Sequence, residues 1–119
     1  MPAAMDRQRH RELLERTSMA KKLKSAFVDN LYECYECGSY DWIELHHIFG
    51  GSNRKHSEEC DYILPLCHRC HNEPPNGVHH NKAKLREYQR MAQEHFEIDH
   101  TRTEFILLFG RNYLDMEDI

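Results

Sequence analysis

At 119 residues, with 39% hydrophobic and 30% charged side chains, the chain has the size of one globular domain, or of one domain plus an arm, and its core must be small. No apolar run is long enough to span a bilayer, and the basic N-terminus lacks the apolar segment of a secretory signal, so a cytoplasmic protein with no membrane partner is expected. The formal net charge of −4 divides unevenly: residues 1–28 carry seven basic against three acidic side chains, the remainder nine against seventeen. A basic arm on an acidic body suits contact between arm and phosphates, although a solvated helix face has the same composition.

Residues 6–16 and 18–31 are predicted helices, with Leu13, Leu14, Leu23, Phe27 and Leu31 at three-to-four spacing, Thr17-Ser18 as a break and Ser18 as an N-cap. This divides the chain into a basic helical N-terminal arm, 1–31, and a body, 32–119. From 32 to 70 helical periodicity disappears and Cys, His, Gly and aromatic residues take over. A knuckle turn, a strand around 42–47, a Gly-rich loop at 50–53 and a strand around 61–66 are predicted there. Pro74-Pro75-Asn76-Gly77 makes a hard turn. Residues 82–97 form an amphipathic helix with Leu85, Tyr88, Ala92 and Phe96 on one face. Thr101 and Glu104 form a capping box for a last helix, which Gly110 ends.

Cys34-x-x-Cys37 and Cys67-x-x-Cys70 are identically spaced, with 29 residues between them. Each CxxC lets one tight turn present two sulfurs to a single ion, and Gly38 supplies the freedom such a turn needs. Four thiolates close a tetrahedral site, so a structural Zn²⁺ is expected, and in a reducing cytoplasm metal ligation is favoured over disulfides. Cys60 is left over as a buried or semi-exposed thiol.

Seven of the ten histidines (His46, His47, His56, His68, His71, His79 and His80) fall between residues 46 and 80. A lone histidine is ordinarily a core or surface residue; seven beside a zinc site are not explained that way. Neighbours on a strand face opposite ways, so of His46 and His47 one can hold a metal while the other works on a water. Phosphodiester hydrolysis needs that division between a divalent ion and a base, and histidine titrates near neutrality. His56 and His68 are read as surface histidines, and Tyr40, Trp42 and Tyr62 as core or knuckle packing. Arg54, Lys55 and Arg69 flank the site as surface charge or phosphate contacts.

The run Cys34-x-x-Cys37, Glu44-Leu-His-His-Ile48 with Gly50-Gly51, and Asp61-Tyr-Ile-Leu-Pro-Leu-Cys67-His-Arg-Cys70-His71-Asn72 resembles the HNH endonucleases, especially the small zinc-containing versions of bacteriophages and mobile elements. The resemblance covers about residues 34–82. It implies an α+β fold with a ββα-metal (His-Me finger) centre, stapled by the four-cysteine zinc site and flanked by N- and C-terminal helices. It makes His46 and His71 metal ligands and His47 the general base. The family's third ligand lies about a turn after the His71 position, where this chain has Pro75, which forbids a continuous helix. His79 is therefore taken as third ligand, with His80 as the alternative. Where the family holds an asparagine orienting the base, this chain has Tyr62 beside Asp61, and either could take that role.

The expected activity is hydrolysis of double-stranded DNA, as a nick or, through two copies, a double-strand break, by a monomer or weak dimer in a bacterial or phage-infected cell. The catalytic ion is Mg²⁺, Mn²⁺, Ni²⁺ or Zn²⁺, with Mg²⁺ held least tightly by imidazoles. Two such cations would offset part of the body's negative charge. The competing expectation is an inert zinc-binding module gripping nucleic acid or a protein. A zinc ribbon of a transcription regulator is disfavoured, because no recognition helix clearly follows the knuckle.

Overall fold

Two antiparallel strands organise the protein, β1 (Ile43–His47) and β2 (Ile63–Cys67), with Ile43 opposite Cys67 and His47 opposite Ile63. A computed structural model describes residues 23–115. After β1 come a 3-10 turn (Gly51–Asn53) and α1 (Arg54–Glu59); after β2 come α2 (His68–Asn72), a second 3-10 turn (Val78–His80), α3 (Lys82–Phe96) and α4 (Arg102–Phe109). The fold is α+β, a two-stranded sheet with helices packed about it.

β2 is buried along its whole length, and its apolar run Ile-Leu-Pro-Leu-Cys is the sequence cause. Pro65 is tolerated in mid-strand because both strands of a two-stranded sheet are edges; its carbonyl accepts the Tyr35 amide at 2.7 Å, fastening the first cysteine knuckle to β2. Leu64 and Leu66 join Tyr88 and Ala92 of α3 in the core. Beyond them Phe49, Tyr62, Phe96, Phe105, Phe109 and Tyr113 form an aromatic cluster, with Phe49 and Phe109 ring centres 4.4 Å apart. Gln93 is fully buried among them and fully partnered, its amide donating to Glu97 and Asn112 and its oxygen accepting the Tyr113 amide at 2.8 Å.

The C-terminal helices match their sequence signals. Thr101 Oγ1 accepts the Glu104 amide at 3.0 Å and Glu104 accepts the Thr101 amide at 2.8 Å, and Gly110 closes α4 at φ +96°. On α3, Tyr88, Ala92 and Phe96 face the core and Leu85 packs against it.

The predicted helix over 18–31 is absent from 23 onward. Ser25 Oγ accepts the amides of Phe27 and Val28, and Asn30 Oδ1 accepts that of Tyr32, so side chains claim the amides a helix would need. Ala26 N donates to Asp61 O at 2.7 Å and Phe27 stacks on Tyr62, which packs this stretch onto the body rather than leaving it in an arm. The helix predicted over 6–16, and most of the basic arm, lie outside the described residues. Tyr40 and Trp42, expected as packing residues, are 55% and 69% exposed.

Candidate metal centres

The first knuckle is a tight turn closed by Cys34 N to Ser39 O (2.7 Å) and Gly38 N to Cys34 O (2.9 Å). Gly38 sits at φ +79°, where a side chain would be strained. The second knuckle is the start of α2, with Cys67 as N-cap and Cys70 a turn later. Together they bring four sulfurs within 4.8 Å of one another. Cys37 and Cys67 are 3.7 Å apart, against about 2.0 Å for a disulfide and about 3.8 Å for the edge of a tetrahedron of 2.3 Å metal–sulfur bonds. The cluster fits one tetrahedral ion. The amide of Ser39 is the main cause that holds Cys37 down to about 7. Arg69 hydrogen-bonds Cys37, so it serves the sulfur cluster. Cys60 stands apart, half-buried, its thiol pushed up by burial.

The second group is His46, His71 and His79, with one ligating nitrogen from each within 4.8 Å of the others. His46 comes from β1, His71 from α2 and His79 from the 3-10 turn after the Pro-Pro-Asn-Gly segment. Gly77 makes that return possible: a Cβ there would meet Glu73 O at 2.6 Å and Glu73 N at 2.7 Å, so only glycine lets the turn lie directly on the end of α2. His71 Nε2 and His79 Nε2 are 2.9 Å apart. His80 is exposed and outside the group.

His46 Nε2 is buried without a hydrogen-bond partner, the one such side-chain atom among the described residues. An orphaned buried nitrogen costs about 1–3 kcal/mol, which a bound cation would offset. Burial, then the neighbouring His71, His79 and His47, drive His46 down to about 3, so its imidazole stays neutral with a lone pair to offer. Burial also lowers His79. The donor set fits a divalent transition metal.

Glu44 braces this centre, and sequence reasoning passed over it. Its Oε1 accepts from His71 Nδ1 and Asn72 Nδ2, both at 2.7 Å, and its Oε2 from His68 Nδ1 at 3.0 Å. With Nδ1 of His71 donating to a carboxylate, Nε2 is left to ligate, the orientation metal-binding histidines generally use. Burial would raise Glu44, but these hydrogen bonds bring it below the usual carboxylate range. The signal was present: Glu44 lies two residues before His46 and so on the same strand face. His68, read as a surface histidine, belongs to this network.

His47 faces the other way, with Ile63, and its Nε2 hydrogen-bonds Glu58 Oε2 at 2.8 Å. Glu58 is held there by its neighbour Ser57, whose buried hydroxyl donates to Phe49 O at 2.8 Å and accepts Phe49 N at 3.0 Å, pinning α1 to the end of β1. Tyr62 and Asp61 are not brought to His47. Tyr62 alternates onto the aromatic side of β2, its hydroxyl on His95 Nδ1 at 3.1 Å, and burial raises its phenol. Asp61 occupies a left-handed turn at φ +64°. The partner of His47 is Glu58, which no periodicity marked because α1 has only six residues.

Compared with family models, curated proteins and solved structures, the chain matches none. Among the described residues no helix is long and apolar enough to cross a membrane.

Proposed function

We propose that the chain is a metal-dependent nuclease of the HNH, ββα-metal type that hydrolyses phosphodiester bonds of DNA. The observation that carries this reading is the pairing of a three-imidazole group, in which His46 Nε2 is buried without a hydrogen-bond partner, and a carboxylate-held histidine one residue further along the strand. His46, His71 and His79 hold the divalent ion. When bound, the ion supplies Lewis-acid stabilisation of the scissile phosphate and its leaving oxygen. Glu58 accepts a hydrogen bond from Nε2–H of His47, which fixes the tautomer and leaves Nδ1 to accept a proton from the attacking water; the carboxylate then stabilises the imidazolium that forms. The four-cysteine site holds a structural zinc.

The test is nicking of supercoiled plasmid across Mg²⁺, Mn²⁺, Ni²⁺ and Zn²⁺ with an EDTA control. Metal-dependent nicking that disappears in His46→Ala is expected. No nicking with any of the four ions overturns the reading. The burial of Tyr62 in the core favours the second reading, an inert zinc-binding module, which predicts one bound metal per chain and DNA or protein binding without cleavage.

A further inference from the structure

Trp42 is the chain's single tryptophan, and it is 69% exposed. It is not loose. Its indole lies flat on the His68 imidazole, ring centres 4.0 Å apart and planes within 7°. A backbone bond from His68 N to Trp42 O (2.9 Å) holds the two residues together across the end of the hairpin. Trp42 has φ +49°, a conformation that bulky residues seldom adopt, and outliers of this kind concentrate where a side chain is being presented. With one face of the indole on His68, the opposite face is open to solvent.

The platform is continuous with the histidine centre. His68 Nδ1 donates to Glu44, and the same carboxylate holds His71. Trp42 lies four positions before His46, so their Cα atoms are at most about 14 Å apart, within about four base steps of a stacked strand at 3.4 Å a step. A flat, exposed π-surface tied through Glu44 to the histidine centre is suited to stacking a nucleobase.

We propose that the Trp42–His68 stack binds an unpaired nucleobase, so that the substrate of this site has a single-stranded or extruded nucleotide within a few positions of the bond that is cut. The proposal rests on the nuclease reading for what lies beside the platform, and stacking itself is indifferent to base identity.

Because Trp42 is the only indole, intrinsic tryptophan fluorescence reports on this face alone. Short oligothymidylate titrated into the zinc-loaded full chain should quench that fluorescence, while an abasic strand of equal length should bind more weakly and quench little. By anisotropy of a labelled oligothymidylate, Trp42→Ala should weaken binding roughly five- to hundredfold, the range for one lost base–aromatic stack, and Trp42→Phe should recover part of it. Zinc content and circular dichroism of each variant verify the fold. No binding of oligothymidylate, equal quenching by the abasic strand, or unchanged affinity in Trp42→Ala overturns the platform. Quenching and the Trp42→Ala loss without plasmid nicking would leave the platform standing and remove the nuclease reading; nicking without them does the reverse.

Discussion

The four sulfurs and the three imidazoles meet along one five-residue helix, and they reach it by different routes. Each sulfur pair belongs to a single tight turn, so half of the cysteine site is specified within four residues. The imidazoles come from a strand, a helix and a 3-10 turn, and their meeting depends on β1–β2 register, on Glu44 and on the glycine that lets residues 78–80 lie against α2. The cysteine site can therefore help to build the fold, whereas the histidine centre exists only after the fold is made.

That contrast breaks most severely at the sulfurs. Cys37→Ser or Cys67→Ser should unfold the domain, because structural zinc can contribute roughly 10 kcal/mol to a module whose whole stability is of that order. Far-UV circular dichroism with elemental analysis checks this, and a folded zinc-free variant would contradict it. At the histidines the fold should survive. His46→Ala and His71→Ala should lose the second ion but keep one zinc, whereas His47→Ala should keep both ions and lose roughly 10²–10⁴-fold in single-turnover cleavage. Isothermal titration of metal into each variant separates the two classes; loss of the ion from His47→Ala instead would exchange the roles. One step outward, Glu44→Gln should lower metal affinity at the histidine centre by roughly 10–100-fold with little change in cysteine-site zinc. Equal affinity would make Glu44 a surface carboxylate only.

A further effect is one of pH. His46 sits near 3 in the folded protein against an ordinary 6.5. The unfolded chain is thus the better proton acceptor, so the stability of the neutral imidazole is present above about 6.5 and is lost as pH falls from there toward 3. Relative to His46→Leu, which cannot titrate, the wild type should lose at most about 1.4 kcal/mol per pH unit in that window. Urea midpoints of both proteins, purified without added metal, would read this, and parallel pH curves would refute it.

What the sequence disclosed follows the same division. The Thr101–Glu104 box, the α3 stripe and the CxxC pairs are local patterns, complete within one element, and they were legible. Residues 23–31 carry helical spacing too, yet Ser25 and Asn30 capture the backbone amides and Phe27 docks on Tyr62, a tertiary outcome that periodicity does not encode. α1 and α2 have six and five residues, too few for any period to show. The sequence offers Asp61 and Tyr62 to His47, but the carboxylate that serves it is Glu58 on α1, while Tyr62 turns into the aromatic core. The size of Trp42 predicts packing, as for most large aromatics, yet it stands 69% exposed.

Cys70 and His71 are consecutive residues of α2, one belonging to each cluster. An α-helix advances about 100° per residue, so a single residue inserted between them would leave the CxxC turn intact while swinging the imidazole about a quarter-turn away from Glu44. The two clusters thus share one angular phase. A change of spacing at that one junction would uncouple an intact sulfur cluster from a dismantled histidine centre.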